Sequence, residues 1–157
     1  MTMDQLWAPW RTGYILKKPG KACFICRIKK SAQDQKNYIL KRSRHSFAVL
    51  NIFPYNNGHL MVIPERHIDG LEKLKSAELL DLFQLVNQMT DRLHKILKPH
   101  GMNLGINLGR AAGAGVPGHV HVHLVPRWNG DTNFMPVMNG TKVISGSLTA
   151  VSRRLKG

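Results

Sequence analysis

The sequence is poor in acidic residues. Only nine Asp and Glu stand against 23 Lys and Arg in 157 residues, so the formal net charge is +14. A surface of that sign attracts polyanions such as nucleotides, nucleic acids and phosphorylated partners. A lysine-rich surface also keeps a protein in solution, so the charge alone does not identify a nucleic-acid-binding protein.

Long hydrophobic runs, repeats and low-complexity segments are also missing. No stretch approaches the roughly 18 to 20 apolar residues of a membrane span. The N-terminus lacks the features of a signal peptide, so a cytoplasmic protein is expected. The length favours one domain over 1–157, with a basic arm over 1–45, a central part over 46–140 and a C-terminal tail over 141–157.

Cysteine is scarce, and the two that occur, Cys23 and Cys26, are close together. In a reducing compartment this spacing is more typical of metal or redox chemistry than of a structural disulfide. A thioredoxin-like role lacks its βαβ context. The pair supplies half of a tetrahedral zinc site, and the alternative is two buried thiols.

The hydrophobic pattern predicts five strands and one long helix. Ser76 is the predicted N-cap of an amphipathic helix that runs to about Lys98, where Pro99 ends it. Short helices are predicted over 24–34 and 147–156. The predicted strands cover 38–41, 47–53, 59–64, 102–108 and 119–125, the last ended by Pro126. One long helix on a mostly antiparallel sheet is an α+β architecture.

The last predicted strand lies in the run GHVHVHLVPRW at 118–128. In a strand, His119, His121 and His123 share one face, and the apolar residues between them share the other. Three charged imidazoles about 6 to 7 Å apart would repel, so at least one is expected to be neutral. Neutral histidines are nucleophiles, bases or metal ligands.

A glycine-rich loop, 109–118, precedes these histidines. Backbone N–H groups at glycines are unshielded and can surround phosphate oxygens. The spacing matches neither a P-loop nor a dinucleotide fingerprint, so on its own the loop is better explained as a flexible connection. Beside three histidines on one face, it favours histidine chemistry on a phosphate.

The run H-V-H-V-H-L-V at 119–125 resembles the signature of the histidine triad (HIT) family of nucleotide hydrolases and transferases. Segment 56–67 and Asn107-Leu108-Gly109 are similar to further motifs of that family. LWAPWR at 6–11 and PRWNGDTNFMPV at 126–137 resemble a bacterial branch related to diadenosine tetraphosphate phosphorylases and hydrolases. The resemblance covers nearly the whole chain and implies a HIT-like fold with its catalytic core over 46–140, and a homodimer.

The resemblance implies that His121 attacks the α-phosphate of a dinucleoside polyphosphate and forms a nucleotidyl-histidine intermediate. Water or phosphate then completes the reaction, and the division into two steps lowers each barrier. The His119 carbonyl would hold the His121 ring, while His123 and His59 would contact phosphoryl oxygens. The implied nucleotide and phosphate contacts are Asn51, Asn107, Gly113, Ala114 and Gly115.

Two further expectations concern the nucleotide. Ile52 and Phe53 either wall the base or pack in the core. Many relatives have a Gln or Ser in the phosphate loop, but this chain has none at 113–116. Backbone amides alone must then serve, or Arg110 or Lys142 reaches in.

The resemblance also implies a structural zinc ion held by Cys23, Cys26, His67 and His119, with no organic cofactor. Three other functions stay open. They are nucleoside phosphoramidate hydrolysis through the same His121 intermediate, nucleic-acid binding, and nucleotide sensing with vestigial turnover. Nucleic-acid binding has thin support because few aromatic residues, among them Trp7, Trp10, Tyr14 and Tyr38, lie near the basic third of the chain.

Overall fold

The computed structural model describes residues 23–132 and 143–156. The arm before residue 23, Lys142 and the end of the 126–137 segment therefore lie outside the described residues, as do the predictions made for them. Among the described helices, none is both long enough and apolar enough to cross a membrane.

Five strands form one antiparallel sheet in the order β1-β2-β3-β5-β4. The helices are α1 (Phe24–Lys30), α2 (Ser76–Leu97) and α3 (Leu148–Lys156). The strands are β1 (Ile39–Arg42), β2 (Ser46–Leu50), β3 (Leu60–Pro64), β4 (Gly101–Ile106) and β5 (Val122–Arg127). The predicted α+β fold, with five strands, one long helix and a short C-terminal helix, is confirmed.

The sheet is covered on both faces, which explains why every residue of β2 and β3 is buried. The apolar stripe of α2 packs on one face with α3, through residues such as Leu85, Met89 and Leu155. On the other face, Ile25 of α1 packs on Phe47 and its neighbours. Each fully buried side chain of this size contributes about 1.5–3 kcal/mol.

The register of β3 and β5 decides which face carries the histidines. Met61 lies directly opposite His123, and residues opposite each other on antiparallel strands project from the same face. Because Met61 belongs to the cluster under α1, His123 lies on the α1 face, away from α2.

The predicted bounds of the last strand, 119–125, are wrong at both ends. The observed strand begins at Val122, so His119 and His121 precede it, and Pro126 lies inside it. The Pro126 carbonyl accepts a hydrogen bond from Asn56 on the β3 side, beyond the last β3–β5 pair. Since N–H and C=O of one strand residue point to the same side, no ladder bond is lost at Pro126.

Other boundaries also differ from the prediction, among them the start of α2 and the end of β2. Lys75 is the N-cap of α2, and Ser76 is its first helical residue, because the Glu78 carboxylate accepts the Lys75 N–H at 2.8 Å. Strand β2 ends at Leu50, and the chain then turns over residues 51–59. The prediction that Ile52 and Phe53 pack in the core is wrong, since they are 51% and 60% exposed.

Candidate active site

The segment just before β5 holds the His121 ring in one orientation. Its Nδ1 lies 2.8 Å from the His119 carbonyl oxygen. A carbonyl only accepts, so Nδ1 carries the proton and Nε2 keeps its lone pair. The ring is 4% exposed, and this burial lowers the pKa of His121 from its usual value. The neutral ring therefore presents an unprotonated Nε2.

A chain of hydrogen bonds through His59 determines the proton position on His123. The Tyr55 N–H donates to His59 Nδ1 at 3.0 Å, so the neutral His59 ring carries its proton on Nε2. That Nε2 lies 2.9 Å from His123 Nδ1, which therefore accepts. Burial, with a smaller effect of the nearby His121, lowers the pKa of His123 to about 4. Neutral His123 then carries its proton on Nε2.

The Nε2 atom of His123 is buried and has no hydrogen-bond partner among the residues that the structure describes. The His121 and His123 rings meet edge to face, with centroids 4.7 Å apart. A buried N–H without a partner costs about 1–3 kcal/mol. A nucleophilic nitrogen thus lies next to a donor that is suited to an anionic oxygen.

Asn51, predicted to contact a ribose, lies beside His59 at the end of β2. Its N–H donates to the His59 carbonyl at 2.9 Å, and its Nδ2 is 3.4 Å from His59 Nδ1. Its Oδ1 accepts the Phe53 N–H at 2.9 Å. In this conformation the Asn51 side chain shapes the turn that carries His59.

Sequence reasoning missed two polar residues on this side of the sheet. Asn56 is 4% exposed and donates from Nδ2 to the Pro126 carbonyl at 3.0 Å and to Asp131 Oδ2 at 2.6 Å. The Arg127 guanidinium also donates to the Asp131 carboxylate, and it holds the pKa of Asp131 well below its usual range. An Asp four residues after an Arg was the available signal.

The glycine loop is partly closed on itself. Gly113 N–H donates to the Arg110 carbonyl at 2.9 Å, and Ala114 N–H donates to the Gly109 carbonyl at 3.2 Å. Gly109 and Gly113 both have positive φ, which their lack of a Cβ permits. Among the predicted cradle amides, Gly113 and Ala114 are thus engaged inside the turn. Asn107 is half-buried just beyond β4, and Arg110 is exposed.

The structure brings all four predicted metal ligands together. The ligand atoms of Cys23, Cys26, His67 and His119 lie within 4.8 Å of one another. His119 Nδ1 is 3.6 Å from each sulfur and 3.3 Å from His67 Nδ1, which is 3.4 Å from Cys26 Sγ. A tetrahedral ion with bonds of about 2.0 to 2.3 Å requires separations of about 3.3 to 3.8 Å. The donor set therefore fits a metal ion.

Contacts around the cluster prepare it for a cation. His119 Nε2 donates to the Pro64 carbonyl at 2.9 Å, so Nδ1 faces the sulfurs without a proton. Burial lowers the pKa of His119 to about 4, which keeps the ring neutral. Burial and the neighbouring Cys23 thiol raise the pKa of Cys26. A bound cation would reverse that effect, because it stabilises the thiolate.

Comparisons with known proteins find similar sequences. Residues 32–130 match the family model described as HIT domain. An "AP-4-A phosphorylase" of Mycobacterium tuberculosis is 36% identical over 162 residues, which cover 98% of this chain and 83% of that protein. An asymmetrical bis(5'-nucleosyl)-tetraphosphatase of Schizosaccharomyces pombe is 39% identical over 93 residues, which cover 59% of this chain and 50% of the relative.

Solved structures show the same fold. A HIT-family protein from Bacillus subtilis superposes with a TM-score of 0.63 at 28% identity, covering 70% of this chain and 76% of that chain. A Zn-bound histidine triad family protein from Mycobacterium smegmatis gives a TM-score of 0.68 at 24% identity, covering 86% and 91%.

Proposed function

The chain belongs to the HIT-domain family, and from this premise we propose that it cleaves a dinucleoside polyphosphate of the diadenosine tetraphosphate type at the α-phosphate. The observation that carries the proposal is the His121 ring, whose Nδ1 is held by the His119 carbonyl so that Nε2 is free to attack. The likeness over 98% of the chain to a relative named for that substrate supports this choice.

In the first step His121 Nε2 attacks the α-phosphorus. A P–N bond forms, the P–O bond to the rest of the polyphosphate breaks, and ATP leaves from diadenosine tetraphosphate with the electron pair. In the second step water or phosphate attacks the same phosphorus and breaks the P–N bond. Water yields AMP and phosphate yields ADP, and His121 is regenerated in both cases.

His123 stabilises the charge that builds on the phosphoryl oxygens. Its buried Nε2–H is preformed, so no reorganisation accompanies the reaction, and donors of this kind act most strongly where water is excluded. His59 orients His123, and Asn51 and Asn107 contact the nucleotide. Because the Gly113 and Ala114 amides bond within the turn, Gly115 is the first backbone donor that we assign to the phosphate.

We also propose that the four-residue cluster binds zinc. Two thiolates and two imidazoles are a donor set that zinc prefers, and they fill all four positions, so the site is structural. The ion would tie the start of α1 to the segment that carries His121. Because zinc binding requires reduced thiols, this proposal includes a cytoplasmic location, and both cysteines are free.

A homodimer is the assembly that we propose. Strand β4 lies at the edge of the sheet and exposes Leu104, and α2 exposes Leu80 and Phe83. An unpaired edge strand with apolar side chains is a natural site for a second copy. Sedimentation of the purified chain at several concentrations tests this, and a monomer throughout contradicts it.

The function is tested with purified protein and diadenosine tetraphosphate, with and without phosphate. We expect ATP together with AMP in water and ADP in phosphate, and a denaturation-resistant labelled nucleotide on wild type but not on His121→Ala. No nucleotide release from wild type refutes the proposal. An AMP–amine conjugate assayed in parallel decides between polyphosphate cleavage and phosphoramidate hydrolysis, because both use the same intermediate.

A further inference from the structure

The Asp131 carboxylate, which the proposed reaction does not use, accepts hydrogen bonds from four residues. Asp131, in the turn after β5, has a side chain only 6% exposed. Its Oδ2 accepts from Asn56 Nδ2 at 2.6 Å, Arg127 Nε at 2.7 Å and the Trp128 N–H at 3.1 Å. Its Oδ1 accepts from Arg127 Nη2 at 3.0 Å and Thr132 Oγ1 at 3.2 Å.

Asp131 is rigidly held by its own neighbours. Arg127 donates through two nitrogens to the carboxylate, and its Nη1 donates to Asn103 Oδ1 on β4 at 2.9 Å. A paired, two-point guanidinium contact is strong and geometrically specific. The Oδ2 lone pair that meets Asn56 is therefore fixed relative to the sheet.

Asn56 transmits this position to the turn between β2 and β3. Its side chain is clamped between Asp131 and the Pro126 carbonyl. Its carbonyl accepts the His59 N–H at 3.1 Å, and the preceding residue, Tyr55, donates its N–H to His59 Nδ1. The main chain on both sides of the Asn56 side chain thus contacts His59.

The hydrogen bonds beyond this point have only one possible direction. The Tyr55 N–H is a backbone group that can only donate, so His59 Nδ1 must accept and His59 Nε2 must donate to His123 Nδ1. The reverse tautomers would set the Tyr55 N–H against a second N–H. The position of the Tyr55 N–H therefore sets the direction of the whole series of hydrogen bonds.

We propose that Asp131 is a positioning residue that, through Asn56 and the Tyr55 amide, fixes the tautomers of His59 and His123 and so presents the His123 Nε2–H to the phosphate. The use made of that N–H rests on the function proposed above, whereas the tautomers do not. Asp131 itself touches no reacting atom.

The test compares the full-length zinc-loaded protein with Asp131→Ala and Asp131→Asn, using imidazole ¹⁵N NMR without substrate. We expect a single Nε2–H tautomer for His59 and His123 in wild type. In Asp131→Ala we expect both rings to show mixed tautomers. His121 is an internal control, because its Nδ1–H is held by the His119 carbonyl, outside the chain from Asp131.

Kinetics give the second readout. A misplacement of about 1 Å that originates far from the chemistry can cost about 100-fold in rate. We therefore expect kcat for Asp131→Ala to fall roughly tenfold to 100-fold while KM changes less than about twofold. Asp131→Asn keeps an oxygen for Asn56 and should recover part of the loss. The control is Asp91→Asn, which removes an exposed i,i+4 ion pair with Lys95 on α2 and should leave kcat unchanged.

Unchanged tautomers in a folded Asp131→Ala protein overturn the proposal, whether or not its melting temperature falls. If Asp131→Ala does not fold, the tautomers and kcat of Asp131→Asn decide, and wild-type values in both overturn it. If wild type cleaves no dinucleotide, the proposed function fails, but the NMR result still decides whether Asp131 sets the tautomers.

Discussion

Replacement of His123 by Asn separates the two roles of its ring. The Oδ1 of Asn occupies roughly the place of Nδ1 and can still accept from His59 Nε2, but no donor remains at the place of Nε2. In wild type that Nε2–H is buried without a partner among the described residues. Removing it relieves about 1–3 kcal/mol of desolvation, which opposes the loss of packing from a smaller side chain.

We therefore expect His123→Asn to change the free energy of unfolding by less than about 2 kcal/mol. Its kcat should fall about 100- to 1000-fold, the usual cost of losing one preformed donor to a developing anion. His123→Gln is the matched variant, because its amide can place an N–H near the Nε2 position while losing the bond to His59. It should retain more activity than Asn.

The assay is the initial rate of ATP release from diadenosine tetraphosphate, with urea unfolding of each variant. His94→Asn, at an exposed position of α2, controls for the loss of a histidine. A kcat for His123→Asn within about threefold of wild type contradicts the assignment of the Nε2–H to the phosphate. A large loss of stability without loss of kcat contradicts the argument that removal of the unpaired buried N–H offsets the lost packing.

Three other predictions follow from the same geometry. The pKa of His123 near 4 lies below the ordinary value of 6.5, so the unfolded chain binds more protons between these values, and stability should fall as pH drops from about 6.5 to 4. The fall, measured by urea unfolding, should be smaller in His123→Asn. Among the described residues, the titratable side chains whose rings contact His123 are His59, His121 and Tyr55. A strong chelator should remove about one zinc per chain and lower the melting temperature, with recovery on zinc addition, and metal analysis that finds no zinc contradicts the site. Gly58→Ala should lower stability by about 1–2 kcal/mol or more, because φ is +74° and the new Cβ would meet Leu97 Cδ1; Gly101→Ala, where a Cβ meets nothing within 4 Å, should have little effect, and equal losses in both refute the argument.

The elements could be predicted because their signals are local. The spacing of apolar residues in α2 and the alternation in 119–125 reflect the periods of a helix and a strand. The boundaries failed where the decisive partner was distant. Strand β5 starts at Val122 because its pairing with Val62 starts there, and Pro126 is tolerated because β3 has no pair beyond Leu60.

The site, like the fold, could be predicted only in part. The resemblance supplied candidates for the nucleophile and the metal ligands, and the cluster formed as expected although Cys23 and His119 are 96 positions apart. The connection from Asp131 to Asn56 was not predicted, since it crosses 75 positions and depends on how two turns meet. The roles assigned to the individual site residues remain predictions.

By itself the sequence determined the kinds of element, the alternation of histidine with apolar residues, and the thiol pair that needed partners. The tertiary structure decided which nitrogen of each imidazole carries a proton, because that depends on the one neighbour at hydrogen-bond distance. A backbone carbonyl at His119 and a backbone N–H at Tyr55 impose opposite tautomers on His121 and His59. Chemically identical rings acquire different roles only when the folded chain brings a fixed donor or acceptor to each of them.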